Sequence, residues 1–135
     1  MMKVEKPWGY EIRWAINEKY LGKILYIKEG QRLSKQYHNV KDETIYVLEG
    51  ALNLELGPDI STYKNNPEPQ KIVLSEGESK RIHPGMVHRF CAEMSDVVLV
   101  EVSTPEITDV VRLSDDYGRT EAEKTEDLYA IYGGD

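Results

Sequence analysis

Short apolar segments at short intervals constrain this chain more than any other feature. Residues 10–16 (YEIRWAI), 23–28 (KILYIK), 43–49 (ETIYVLE), 51–56 (ALNLEL), 71–74 (KIVL), 87–92 (VHRFCA) and 96–102 (DVVLVEV) are rich in Val, Ile, Leu and Tyr. Several alternate with period two, so successive side chains face opposite sides of a strand, and turn residues separate them. Many short strands at this spacing predict an antiparallel barrel or sandwich. Gly50, between the alternating runs of LEGALNLEL, predicts a tight hairpin, and residues 57–70 (GPDISTYKNNPEPQ) predict a polar loop or long hairpin tip. The carboxy-terminal stretch breaks the pattern. Thr120 and Glu123 form a capping box, and Leu128, Ile131 and Tyr132 make one apolar stripe, which predicts a short amphipathic helix within 119–132. The expectation is one domain over residues 1–135, with the barrel core at about 10–113.

Charge and cysteine usage narrow the function classes. The 17 Lys+Arg stand against 24 Asp+Glu, a net charge of -7 that opposes non-specific nucleic-acid binding. A small anionic ligand is compatible with it, because a few basic groups in a cleft focus a local field. Cys91 is the single cysteine, which rules out an internal disulfide. The opening MMKVEKPWGYEIRW has no apolar signal core, and the longest apolar runs, such as VVLV at 97–100, are far too short to span a bilayer. These features predict a soluble cytoplasmic protein that binds neither nucleic acid nor membrane.

The stretch GQRLSKQYHNVKDETIYVLEG (30–50) carries the candidate chemistry. Gln36 and His38 are two apart and share a strand face, and Glu43 opens the next alternating run. Two strands can thus bring an amide oxygen, an imidazole and a carboxylate to one spot. His88, entering a strand after the Pro84-Gly85 turn, is the candidate fourth group. Such a set suits a divalent first-row metal: imidazole accepts Zn, Fe, Ni or Cu, and the oxygen ligands add Mn. Structural zinc normally takes four Cys or His ligands, so a mixed site of this kind reads as catalytic.

These spacings resemble the cupin superfamily. Its first motif is matched by Gly30, five residues, Gln36-Tyr37-His38, four residues, Glu43, six residues and Gly50, and its second by Gly77, five residues and HPGMVH ending in His88. Gln36 replaces the motif's first His, and His83 stands where its first Pro belongs. KPWGYE, GQRLSKQYH and EVSTPEITDVVRLSDDYGR further resemble the mannose-6-phosphate isomerase domain found fused behind a mannose-1-phosphate guanylyltransferase. That domain usually has further histidines where this chain has Asn39, Val40 and Thr44. The resemblance implies a small cupin barrel, zinc as the metal, a homodimer, and conversion of an aldose phosphate to a ketose phosphate.

Several residues are candidates for substrate chemistry. Glu101 matches a Glu of the isomerase pattern and is a candidate general base if it faces the cavity. Arg32, Lys35, Arg81, Arg89 and Arg112 are candidates for a phosphate, since basic groups and the planar guanidinium in particular suit phosphate oxygens. Arg89 directly follows His88 and so points to the opposite face, while Arg112 lies in the family-like DVVR. Trp8 and Tyr10 read as packing residues and Cys91 as a small buried apolar residue. The leading function is metal-dependent isomerisation of a sugar phosphate. A non-catalytic cupin that binds a sugar or sugar nucleotide, and a metal-dependent dioxygenase or decarboxylating cupin, are the alternatives.

Overall fold

The computed structural model describes residues 2–119; the helix expected from Thr120 onward lies outside them. Eleven strands and one helical turn follow in order: β1 (Met2–Lys6), β2 (Gly9–Ile16), β3 (Leu21–Ile27), β4 (Lys35–Tyr37), β5 (Glu43–Glu49), β6 (Leu52–Asp59), α1 (Ile60–Tyr63), β7 (Gln70–Leu74), β8 (Ser79–Ile82), β9 (Met86–Cys91), β10 (Val97–Ser103) and β11 (Val111–Ser114). They form two antiparallel sheets, ordered β1-β2-β3-β10-β5-β8 and β11-β4-β9-β6-β7. This is the expected double-sheet β architecture. Among the described residues no helix is long and apolar enough to cross a membrane.

The hairpin expected at Gly50 does not form. β5 pairs with β10 and β8, whereas β6 pairs with β7 and β9, so Gly50 is the corner where the chain leaves one sheet for the other. A glycine is needed there. Its φ is 81°, and a Cβ would meet the Asp96 carbonyl oxygen at 2.1 Å. The expected polar loop is partly structured: β6 runs on to Asp59, whose carboxylate caps α1 by accepting from the Ser61 amide.

The inward faces change character along the barrel. At one end Leu25, Ile27, Ile45, Val47, Leu52, Leu54, Phe90, Val97 and Leu99 pack into an apolar core, with Trp8 against them as expected. The packing stops at one level on neighbouring strands. Leu25 pairs with Leu99, and two residues further along β3 the inward position is Lys23, directly opposite Glu101. On β2 the buried positions are Glu11 and Arg13, while Trp14 and Ile16 are exposed. The face turned inward is therefore charged at this end, and much of the outer face is apolar. Isolated buried charges cost several kcal/mol each unless paired. Here they are paired, and the pairs surround a cavity.

Candidate metal centre

Three of the expected ligands come together. A ring nitrogen each of His38 and His88 and a carboxylate oxygen of Glu43 lie within 4.8 Å of one another, all three residues buried. His38 reaches the site from the turn after β4, Glu43 from the start of β5, and His88 from β9. His38 Nε2 is 3.1 Å and His88 Nε2 3.3 Å from Glu43 Oε1. Burial would raise the Glu43 pKa, but Lys41 and the two imidazoles hold it well below the usual carboxylate range.

Tautomers decide what this trio can do. His38 Nδ1 donates to the carbonyl of Asp109, and His88 Nδ1 donates to that of Met86 at 2.9 Å. A carbonyl only accepts, so each Nδ1 carries a proton and Nε2 of each ring is left to face Glu43, donating to the carboxylate when protonated and free to ligate a metal once that proton is given up. With those protons displaced, three donor atoms converge on one buried spot. Such a spot calls for a cation, and an Nδ1 tied to backbone oxygen is how metal-binding histidines are oriented. Two imidazoles and one carboxylate make a mixed set that suits a divalent transition metal.

Asp109 builds the histidine's surroundings twice over. Besides receiving the His38 proton on its carbonyl, it accepts amide hydrogens of Asn39, Val40 and Lys41 on its carboxylate at 3.0, 2.7 and 2.9 Å. Burial raises its pKa, and the three amides outweigh that and lower it. Gln36, the fourth expected ligand, is placed directly opposite His88 in the β4–β9 register and lines the cavity, with its Oε1 accepting from Ser34 Oγ at 2.8 Å.

The cavity beside the trio has a volume of about 50 Å³. That is room for a few waters, so a larger molecule would sit partly outside it. His38, Lys41, Glu43 and Glu101 are its buried lining, whereas Lys6, Gln36, Arg112 and Arg119 are half-buried. Lys41 Nζ lies 2.9 Å from Glu101 Oε2 and 3.8 Å from Glu43 Oε2. Burial alone would lower the Lys41 pKa, but the two carboxylates carry it above its ordinary value. Burial and the nearby Glu43 raise the pKa of Glu101, with Lys41 pulling the other way. Glu11 accepts from Arg13 at 2.8 Å and pairs with Lys23 at 3.1 Å. Burial pushes its pKa up, yet Lys23, Lys6 and Arg13 bring it down to about 2.

The other sequence candidates divide between this cavity and the outside. Glu101 and Arg112 line it. Arg32 and Lys35 are not part of its lining. Arg32 makes a two-point contact with Asp116, and Lys35, adjacent to Gln36 on β4, takes the other face and lies 3.7 Å from Glu55. Arg81 is tied to Asp42. Arg89 points away from His88, as alternation requires, and joins the Leu33 carbonyl to Asp116. Cys91 is buried, and burial pushes its thiol pKa up to about 11. Sequence reasoning missed Lys41, Glu11, Arg13, Lys23 and Asp109. The signal for the strand residues was there, as charges recurring at every second position of apolar runs.

Comparisons with known proteins agree with this architecture. The family described as mannose-6-phosphate isomerase C-terminal matches residues 1–115. A mannose-1-phosphate guanylyltransferase of Escherichia coli strain K12 is 32% identical over 123 residues, covering 87% of this chain and 23% of that protein. The chain spans about a quarter of the length of the curated relatives it matches. Among solved structures, the capsular polysaccharide assembling protein CapF from Staphylococcus aureus superposes with a TM-score of 0.70 at 16% identity, over 84% of this chain and 31% of that one. A cupin superfamily protein from Desulfitobacterium hafniense gives 0.56 at 13% identity, over 70% and 74%. The fold is that of a cupin.

Proposed function

The chain belongs to the mannose-6-phosphate isomerase C-terminal family, and from that premise we propose that it is a metal-dependent isomerase of sugar phosphates, of the mannose-6-phosphate to fructose-6-phosphate type. The observation that carries the reading is the convergence of His38, Glu43 and His88 beside a cavity lined by further acid and base groups.

In this reading His38, Glu43 and His88 hold a divalent metal, zinc first among the candidates, with Gln36 beside them as the fourth ligand. When bound, the metal supplies Lewis acidity that stabilises charge developing on the substrate oxygens. Glu101 moves the proton between C2 and C1. It lines the cavity, it is not one of the three converging ligands, and its raised pKa suits a group that must both take and return a proton. Five cations, Lys6, Lys23, Lys41, Arg112 and Arg119, line the cavity against three carboxylates, Glu11, Glu43 and Glu101. Arg119 is held there by the Asp115 carboxylate, and cations of this number in a cleft are compatible with an anionic ligand. The half-buried Lys6 and Arg112 receive the phosphate, while the carbonyl end of the sugar enters.

The test is turnover of mannose-6-phosphate and related aldose phosphates by metal-loaded protein. The reading expects ketose phosphate product that disappears with Glu101→Gln. Absence of product across these substrates overturns it, and a ligand-induced rise in melting temperature without turnover assigns the cavity to binding alone.

We further infer that the protein acts in the cytoplasm as a homodimer, with a second copy seated on the outer face of the six-stranded sheet. Ile12, Ile24, Val100 and Tyr46 lie side by side across four strands, with Trp14, Leu48 and Val102 on the same face. Tyr46, Trp14, Leu48 and Val102 are 43–49% exposed. A contiguous apolar patch on a sheet face marks an interaction site. The groove at its border carries Lys3 and Lys28 beside Glu5 and Glu49. Both signs on one surface suit a two-fold contact, in which the same patch faces itself.

A further inference from the structure

Of the three buried carboxylates that border the cavity, only Glu43 faces the histidines. Glu43 turns Oε1 toward the two imidazoles and Oε2 toward Lys41, 3.8 Å away. Glu101 turns Oε2 toward the same ammonium at 2.9 Å. Lys41 thus stands between the carboxylate of the centre and the carboxylate beside it. All three side chains are 2–4% exposed, so solvent does little to screen them. Lys23 is opposite Glu101 in register, but its ammonium is 3.1 Å from Glu11.

We propose that Lys41 is a positioning residue that keeps Glu101 from becoming a metal ligand, and so leaves the centre open to an exogenous one. This rests on the metal-site reading above. Carboxylate oxygens are strong ligands for a divalent cation, and a second buried carboxylate beside one would be drawn into its coordination sphere. The ammonium gives Glu101 a competing partner at hydrogen-bonding distance. It also sets a positive charge close to the centre, which weakens cation binding. Lys41 therefore trades affinity for an open position, the property that separates a catalytic site from a closed structural one. The backbone holds it in place: the Lys41 amide donates to Asp109, the residue whose carbonyl orients His38.

Cobalt(II) is the probe, because its visible absorption reports the number and type of ligands. Affinity and spectrum are measured for the wild type, Lys41→Met, Glu101→Gln and the double variant, with circular dichroism to establish folding. Lys41→Met is expected to bind cobalt about tenfold more tightly or better, with a spectrum altered by an added oxygen ligand. The double variant returns the spectrum to that of the wild type. Glu101→Gln alone keeps the wild-type spectrum and binds more weakly, since Lys41 then turns fully to Glu43.

A Lys41→Met protein with unchanged spectrum and affinity overturns the proposal. So does an altered spectrum, or unaltered affinity, in Glu101→Gln, which decides the matter alone if Lys41→Met fails to fold. Wild-type protein that takes up no cobalt removes the centre and this role together. Expected spectra with no turnover of any sugar phosphate would instead leave this role standing and overturn the isomerase reading.

Discussion

His88 Nε2 stands 3.3 Å from Glu43 Oε1, while the Nδ1 proton of the same ring is given to the Met86 carbonyl. His38 repeats the arrangement from the turn after the neighbouring strand β4, through the carbonyl of Asp109. Two rings fixed in the same tautomer and aimed at one carboxylate are a buried site awaiting a positive charge. Everything proposed about function depends on what supplies it.

Asp109 is the residue through which fold and site are linked, so Asp109→Ala disturbs both. The amides of Asn39, Val40 and Lys41 lose their acceptor. Two of them belong to exposed residues and can turn to water. Stability is expected to fall by about 2 kcal/mol. The backbone carbonyl that accepts from His38 survives the substitution, so metal affinity falls by less than about tenfold, only as far as the freed 39–41 turn lets ring and carbonyl drift apart. Urea titration and chelator competition measure the two effects; an unchanged stability would show that the Asp109 carboxylate does not hold the 39–41 turn.

Glu11 gives the acid limb of the stability profile a definite cause. Lys23, Lys6 and Arg13, acting against burial, lower its folded-state pKa from 4.5 to about 2. A depressed carboxylate pKa contributes stability above its unfolded value, and that contribution is lost as pH falls through the folded value. The window is therefore pH 4.5 down to about 2, and the contribution is about 3 kcal/mol. Glu11→Gln should be less stable at neutral pH, with a shallower decline across that window in thermal melts followed at several pH values. Parallel declines for the two proteins would contradict the assignment.

Leu48→Glu and Tyr46→Glu test the outer face. Both side chains point to solvent in the single chain, at 48% and 43% exposure, so monomer stability should change by less than about 0.5 kcal/mol. Sedimentation is expected to show a dimer for the wild type and a monomer for either variant. A monomeric wild type, or a variant that stays dimeric, contradicts a second copy on this face.

Much of this was readable in advance, and the failures have physical reasons. Glu43, His38 and His88 were legible because turn glycines at fixed distances set the strand register, as Gly30, Gly50 and Gly77 do here. Alternation in YEIRWAI correctly gave two faces, but it could not say which one turned inward. Apolar-inward is the usual answer, and here Glu11 and Arg13 are buried while Trp14 is exposed. The outcome follows from where β2 lies, beside a polar cavity on one side and an apolar patch on the other. Gly50 misled for a related reason. A glycine between two alternating runs fits a hairpin and a sheet-to-sheet corner equally well, and only the pairing of β5 with β10 and β8 decides between them. Arg32 and Lys35 were candidates by charge alone, which says nothing of direction: Lys35 takes the strand face opposite Gln36 and Arg32 is held by Asp116. Asp109 carried no local signal, since its contacts to residues 38–41 span about 70 positions of sequence.

The central claim is that His38, Glu43 and His88 hold a metal, and metal content measures it most directly. Tag-free wild type and His88→Ala, both shown to be folded, are analysed for elements as purified and after incubation with zinc, manganese, iron and nickel salts. The account predicts close to one metal per chain in the wild type and essentially none in the variant. A folded wild type that takes up no metal under any of these conditions, or a variant that binds as much as the wild type, would contradict it.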